Sequence, residues 1–312
     1  MRALAKSALV FLAIGLLIYA AVYAAAEHLL YRTGDRNPFF RIATADLQRY
    51  DWVVLGASHA MSLDFADFNS EIERETGRRI LNLASPGTGP LYNRFVLQHF
   101  LRDRRTGNLL YVLDSFAFYS ATWNEDRFAD AKLLRRTPFK LATAWQLVHY
   151  SLNEGVDLRT ALDYLTGFSK INNRERFQPD IWEGEAQFER VYRPSAAADR
   201  KRIEYLYPAP PDREAFARYL DAFATLLDLA RNQGARVVAI KTPVPTGFYE
   251  GLPDEPAFDA AISDLLASRG VPYYDFSRVM DEARFYFDTD HLNREGLATF
   301  LDRHLKAILM AE

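Results

Sequence analysis

Cysteine is absent from the 312 residues of this chain. Its absence excludes disulfide bonds, thiol catalysis and cysteine-ligated zinc, although it fits any cellular compartment. The six histidines are scattered without an HExxH or similar pair, so we expect no metal site. The chain also lacks an excess of basic charge. Its formal net charge of −3 and pI of about 6.1 do not indicate nucleic-acid binding. No motif implies an organic cofactor.

The overall composition is that of a folded protein. Hydrophobic residues make up 49% of the chain and charged residues 25%. Beyond an apolar N-terminal segment, about 280 residues remain, which is enough for one large domain that carries an insertion.

The N-terminal segment from Ser7 to Ala26 contains no charged residue. Twenty helical residues at about 1.5 Å each cover the roughly 30 Å hydrocarbon core of a bilayer. The segment therefore predicts a single transmembrane helix that remains as an uncleaved anchor. The apolar core of a cleaved signal peptide usually spans only about 7–15 residues.

Two other interpretations of this segment stay open. Ala24 and Ala26 form an A-x-A site, which is typical of signal-peptide cleavage. A buried core helix is the third interpretation. Arg2 and Lys6 precede the segment, but arginines also follow it closely, so charge alone does not fix its orientation.

Two short segments far apart in the chain carry the groups needed for acyl transfer. Residues 53–59, VVLGASH, predict a buried strand that runs into a tight turn bearing Ser58. Residues 288–291, DTDH, place a carboxylate three residues before His291. A serine hydroxyl is a weak nucleophile unless an imidazole takes its proton and a carboxylate orients that imidazole. Each segment also has a structural interpretation, because serine and aspartate are common in turns and as helix caps.

Strands alternate with helices on both sides of an irregular region. Strands are predicted near residues 51–55, 79–83, 109–113, 236–240 and 271–276. Helices are predicted between them, including residues 62–76 and 211–232. This rhythm predicts an α/β fold with a doubly wound, mostly parallel sheet in three layers. Ligands bind such sheets at the carboxyl ends of the strands. The candidate site residues fall at those ends or in the loops just beyond, namely Ser58, Gly87, Asp114, Pro243 and His291.

The predicted domain organisation has three parts. Residues 1–26 form the membrane anchor, 27–49 a connector, and 50–312 the α/β domain. An aromatic-rich, helical insertion occupies about residues 120–210. Its aromatic side chains either form the core of a small helical subdomain or stack on sugar rings and acyl chains.

The two segments resemble the SGNH (GDSL-like) hydrolase and acyltransferase superfamily. Its nucleophile follows the first strand, and a late DxxH motif supplies acid and base. The resemblance covers roughly residues 50–120 and 215–308 and implies Ser58 as nucleophile, His291 as base and Asp288 as the orienting carboxylate. Its nearest branch comprises membrane-anchored envelope proteins such as the D-alanine-transfer protein of lipoteichoic acid synthesis and the alginate O-acetylation proteins.

One block of the superfamily is altered in this chain. Where a GxND turn supplies an oxyanion-hole asparagine, residues 111–116 read YVLDSF. The glycine of the preceding block matches Gly87. We therefore expect the backbone N–H groups of Ser58 and Gly87 to hold the oxyanion. His59, Asp114, Ser115 and Pro243 are predicted to line the site.

The resemblance implies a single-pass protein of the cytoplasmic (inner) membrane whose catalytic domain faces the periplasm or the cell exterior. It would act as a serine acyltransferase or esterase on an envelope polysaccharide or lipid, with a membrane-bound O-acyltransferase as a candidate partner. Because the asparagine of the GxND turn is missing, a non-catalytic assembly or glycan-binding protein is the alternative.

Overall fold

The computed structural model describes residues 2–33, 37–178, 181–208 and 210–311. The chain forms two compact units. The first comprises Met1–Ala43 and Phe128–Asp180, and the second comprises Thr44–Arg127 and Ile181–Glu312. The predicted insertion is therefore divided: residues 128–180 belong to the same unit as the N-terminal helix, whereas 120–127 and 181–210 belong to the second unit. The predicted boundaries at residues 26, 49, 120 and 210 stay predictions.

One parallel sheet organises the second unit. Its strands are β1 Arg49–Leu55, β2 Ile80–Asn82, β3 Arg105–Val112, β4 Arg236–Lys241 and β5 Tyr273–Asp275. They lie in the order β2-β1-β3-β4-β5, and every neighbouring pair is parallel. This is the doubly wound order in which the chain changes direction at β1 and β3. The predicted α/β fold class is confirmed.

The described residues include sixteen α-helices. They are α1 Arg2–Thr33, α2 Pro38–Thr44, α3 Ser58–Met61, α4 Phe68–Thr76, α5 Pro90–Asp103, α6 Ala131–Arg135, α7 Leu141–Asn153, α8 Leu158–Thr166, α9 Phe168–Ile171, α10 Glu183–Ala186, α11 Ala196–Leu206, α12 Arg213–Asn232, α13 Thr246–Tyr249, α14 Glu255–Ser268, α15 Arg294–Phe300 and α16 Lys306–Met310. A π-helical turn, Leu301–Leu305, joins α15 to α16.

The central strands of the sheet are buried on both faces, which explains the continuous apolar run in β1. Successive side chains of a strand point to opposite faces. Trp52 and Val54 belong to a core cluster with side chains of α4 and of the C-terminal helix. On the other face, Tyr111 packs against Phe223 of α12 with ring centroids 4.7 Å apart. Two helical layers thus sandwich the sheet and fix the strand ends that carry the site.

The first unit contains the apolar N-terminal helix and four helices of the insertion. Residues Arg2–Arg32 have a mean hydropathy of 2.4 in their most apolar window, none of which is buried. The helix is long and apolar enough to cross a membrane, and a signal sequence would pass the same test. It continues to Thr33, beyond the predicted end of the anchor at residue 26.

Candidate active site

The serine turn follows directly from β1. Gly56 has a φ of 145°, and a Cβ there would lie 2.7 Å from the carbonyl oxygen of Val112. Only glycine fits this backbone conformation and close approach. Ser58 then begins α3, so its side chain lies at the carboxyl edge of the sheet, where its exposure is 4%.

Ser58 and His291, which are 233 positions apart, form a hydrogen bond. The distance between Ser58 Oγ and His291 Nε2 is 2.8 Å. On the other side of the ring, Nδ1 lies 2.9 Å from each carboxylate oxygen of Asp288. Because an ionised carboxylate only accepts hydrogen bonds, Nδ1 carries the proton of the neutral ring. Nε2 is then left to accept the proton of the serine hydroxyl.

Asp288 also shapes the loop that bears His291. Its Oδ1 accepts backbone hydrogen bonds from Asp290 at 3.1 Å and from His291 at 2.8 Å. The same carboxylate therefore fixes both the backbone turn and the ring orientation of His291. This double use explains the three-residue spacing of the DxxH segment.

Asp290 lies near the imidazole but bonds elsewhere. The Oδ1 atom of Asp290 is 3.4 Å from His291 Nδ1. Arg202 Nε donates to the two carboxylate oxygens of Asp290 at 3.1 and 3.0 Å, and Thr289 Oγ1 donates to Oδ1 at 2.6 Å. Burial alone would raise the pKa of Asp290, but Arg202 and the neighbouring histidines hold that pKa well below its usual value. Asp288 is thus the better-placed orienting group.

His59 lies beside His291, with ring centroids 4.6 Å apart. Its Nδ1 is 2.5 Å from Asp114 Oδ1, and its Nε2 donates to the backbone carbonyl of Asp290 at 2.9 Å. Burial disfavours its cation, but the carboxylates of Asp114 and Asp290 outweigh burial and raise the pKa of His59 to about 9. His59 therefore anchors the 288–291 loop and does not contact the serine hydroxyl.

The raised pKa of His59 predicts a pH-dependent stability. A pKa that folding raises from 6.5 to about 9 adds stability that is fully present below pH 6.5 and lost as the pH rises through about 9. In urea unfolding of the detergent-solubilised protein, His59→Gln should lower the free energy of unfolding most below pH 6.5. The loss should be on the order of 3 kcal/mol and shrink above pH 9. A loss independent of pH would contradict the charged state of His59.

Two aromatic rings enclose His291. Phe287 stacks on it with an interplanar angle of 7° and a centroid distance of 5.4 Å, and Trp182 meets it edge-on at 5.2 Å. These rings restrict the rotation of the imidazole and the access of water to it. Trp182 comes from the insertion, and periodicity gave no signal of its place here.

The second predicted block packs under the serine turn. Thr88 Oγ1 donates to the carbonyl oxygen of Gly56 at 3.0 Å. Gly87 has a φ of 61°, and a Cβ there would lie 2.7 Å from the ring of Trp123, so its conformation and packing both require glycine. The assignment of the Ser58 and Gly87 amides to an oxyanion hole stays a prediction.

Asp114 lies just after β3 and beside His59. One carboxylate oxygen contacts His59, and the other, Oδ2, is buried without a hydrogen-bond partner among the described residues. A carboxylate cannot donate a hydrogen bond to an oxyanion unless it is protonated. Ionised Asp114 therefore only accepts hydrogen bonds, and the lack of an oxyanion-hole asparagine stays a prediction from the resemblance.

Ser115 and Pro243 lie farther from the serine–histidine pair. Ser115 Oγ donates to Glu255 at 2.5 Å, and Glu255 in turn pairs with Lys241 at 2.5 Å. Ser115 lines a small cavity that His59 and Asp114 also reach, and Pro243 is buried between two lining residues of that cavity, Thr242 and Val244. Their role as residues that line the catalytic site stays a prediction.

A cluster of His59, Asp290 and His291 brings one donor atom of each within 4.8 Å of the others, a spacing that metal ligands also show. These side chains are engaged with Asp114, Arg202, Asp288 and Ser58. The arginine also places a cation against the only carboxylate of the cluster. The hydrogen-bonding pattern accounts for the cluster without an ion, and the metal-free site stays a prediction.

Comparison with known proteins finds a structural similarity but no matching family. A solved structure of an inferred acylhydrolase from Bacteroides fragilis NCTC 9343 is similar to this chain, with a TM-score of 0.41 and 10% sequence identity. The similarity covers 88% of this chain and 96% of that one. No family model matches the chain, and no curated protein matches it.

Proposed function

We propose that this chain is a membrane-anchored serine acyltransferase or esterase that acts outside the cytoplasm on a cell-envelope glycan or lipid. The observation that carries the proposal is the hydrogen-bonded series from Ser58 Oγ to His291 Nε2, at 2.8 Å, and from His291 Nδ1 to Asp288, at 2.9 Å. Both distances are within the reach required for proton transfer and for orientation of the base.

The first half-reaction forms an acyl-enzyme. Ser58 Oγ attacks the acyl carbonyl carbon while His291 Nε2 takes the hydroxyl proton, and Asp288 stabilises the imidazolium that results. The tetrahedral intermediate collapses when the bond to the leaving oxygen breaks, and His291 returns the proton to that oxygen. The backbone amides of Ser58 and Gly87 would stabilise the negative oxygen during this step.

The second half-reaction decides between transfer and hydrolysis. An acceptor hydroxyl, or a water molecule, gives its proton to His291 and attacks the acyl carbon, which releases Ser58. Transfer is favoured over hydrolysis by the family resemblance alone. The envelope substrate and a membrane-bound O-acyltransferase partner rest on the family resemblance.

Covalent labelling tests the proposed nucleophile without knowledge of the substrate. A fluorophosphonate probe should label the solubilised full-length protein at Ser58, as mapped by peptide mass spectrometry. Ser62→Ala is the matched control, because Ser62 is a buried serine of the same turn region that donates to the carbonyl of His59. Labelling should persist in Ser62→Ala and disappear in His291→Ala.

The non-catalytic alternative is supported by the absence of an asparagine from residues 111–116, where the resemblance would place an oxyanion-hole donor. A folded protein that takes no label at Ser58 would favour an assembly or glycan-binding role. Recovery of the label on another residue would likewise remove the proposed nucleophile.

Membrane anchoring is tested by fractionation. If α1 is an uncleaved anchor, the native protein should resist carbonate extraction and keep its N-terminal residues. Protease added outside the cytoplasmic membrane should digest the α/β domain. A soluble protein that begins at Glu27 would instead identify a cleaved signal peptide.

A further inference from the structure

Two helices of the insertion present apolar side chains to solvent. On α7 these are Leu141, Trp145 and Leu152, whose spacings of four and seven residues place them on one helix face. On α8 they are Leu158, Leu162 and Leu165, again on one face. We call these six residues the apolar stripes. Their exposed fractions range from 41% to 76%.

The stripes are not needed for the core of this unit. The opposite faces of the same helices are already buried, through Leu147 and Tyr150 on α7 and through Thr160 and Tyr164 on α8. A helix that is apolar on both sides is expected in a core or in contact with a membrane. Apolar surface of this kind marks a protein or membrane contact more often than a plain solvated face.

Contacts of α1 indicate whether a protein or a membrane contacts the apolar stripes. The hydroxyl of Tyr19 donates to the backbone carbonyl of Thr166, the last residue of α8, at 2.9 Å. A Cβ at Gly167 would lie 1.8 Å from the ring of Tyr23, so α1 approaches the backbone directly there. One turn further along α1, the carboxylate of Glu27 pairs with Lys170.

These contacts place the end of α8 beside the last third of the predicted membrane span. Tyr19 lies seven residues before Ala26, the end of that span, which corresponds to about 10 Å along the helix. Tyrosines are enriched at the level of the lipid headgroups. If α1 crosses a bilayer, the side chains that surround the end of α8 therefore meet the boundary between headgroups and acyl chains.

We propose that the apolar stripes of α7 and α8 insert into the lipid bilayer at the side where α1 leaves it. The insertion then acts as an interfacial platform next to the membrane, in addition to the anchor. Amphipathic segments of this type bury their apolar face about 5–10 Å into the boundary. The proposal rests on the anchor part of the proposed function and is independent of the chemistry at Ser58.

Site-directed labelling tests the platform, because a chain without cysteine accepts single cysteines cleanly. The full-length variants Leu152→Cys and Leu162→Cys, labelled with a nitrobenzoxadiazole fluorophore, are reconstituted into phosphatidylcholine vesicles. Leu12→Cys in α1 reports insertion of the anchor, and Ser268→Cys on exposed α14 reports a site in water. Nitroxide-labelled lipids and aqueous iodide are the two quenchers.

If the stripes lie in the bilayer, fluorophores at positions 152 and 162 should show blue-shifted emission and should be quenched by lipid nitroxide. Their quenching by iodide should be at least about twofold weaker than at position 268, because the expected depth is about 5–10 Å. Full iodide access at 152 and 162, with position 12 quenched by lipid, would overturn the platform but keep the anchor. Protection from iodide without lipid quenching would also overturn it, since a second copy of the chain would then cover the stripes. Loss of lipid quenching at position 12 would overturn the anchor and the platform together.

Discussion

Ser58→Ala is expected to reduce turnover of an activated acyl ester by about 10³-fold or more, because the attacking oxygen is lost. His291→Ala should cause a loss of similar size, and the double variant should lose little more, since the two residues act as one unit. Steady-state kinetics with a p-nitrophenyl ester on the solubilised full-length protein measures both. The substitution at Ser58 removes one side-chain hydrogen bond and should cost only about 1 kcal/mol of stability.

Complementation of a deletion strain extends this test to the natural substrate. Neither Ser58→Ala nor His291→Ala should restore envelope acylation at normal expression. Full restoration by both variants would remove the acyl-enzyme mechanism and leave the non-catalytic role. Ser62→Ala, which keeps the serine–histidine pair, should restore acylation and serves as the control.

Asp288→Asn is expected to reduce turnover by about 10³–10⁴-fold with little change in fold. An asparagine still accepts the backbone hydrogen bonds of the loop, but its amide can donate to His291 Nδ1. That donation favours the tautomer with a proton on Nε2, which cannot accept the proton of Ser58. The kinetics of the purified variant, compared with its thermal melting, separate this effect from unfolding.

Asp290→Asn is the matched variant, and its main effect should be on stability. The substitution leaves the guanidinium of Arg202 without its carboxylate and should lower the free energy of unfolding by about 3 kcal/mol. This is the lower end of the range for a broken buried ion pair, because 21% of the Arg202 side chain is exposed. Its effect on turnover should be far smaller than that of Asp288→Asn. A larger kinetic loss in Asp290→Asn would reverse the assignment of the orienting carboxylate.

The sheet could be predicted because each strand is marked by its own residues. Four consecutive buried residues, 52–55, identify β1, and the amphipathic pattern of residues 211–232 identifies α12, which spans Arg213–Asn232. The helix predicted over 62–76 is the exception. It begins as a 3₁₀ segment, Ser62–Asp67, and becomes α-helical only from Phe68, because Ala66 and Asp67 adopt positive φ values. Periodicity does not detect such a break, since the apolar spacing continues across it.

The charged surroundings of the site could not be predicted. Arg202 lies in a helix rich in charged residues, and nothing in that run distinguishes it from its exposed neighbours. Its partner Asp290 is 88 positions away, and the pairing depends on how α11 packs against the 288–291 loop. The pairing of His59 with Asp114 is equally non-local, because it requires β1 and β3 to be neighbours.

The sequence by itself determined the class of fold and the apolar N-terminal helix, because these depend on local patterns of hydrophobicity. The choice of Ser58, His291 and Asp288 as the candidate triad came from two short motifs and their resemblance to a known superfamily. The tertiary structure alone decided the strand order, the 2.8 Å approach of Ser58 to His291, and the binding of Asp290 by Arg202 in place of the imidazole. The physical reason is that hydrogen bonds form over about 3 Å, whereas their partners lie up to 233 positions apart. Only the packing of helices on both faces of the sheet brings those positions to one edge.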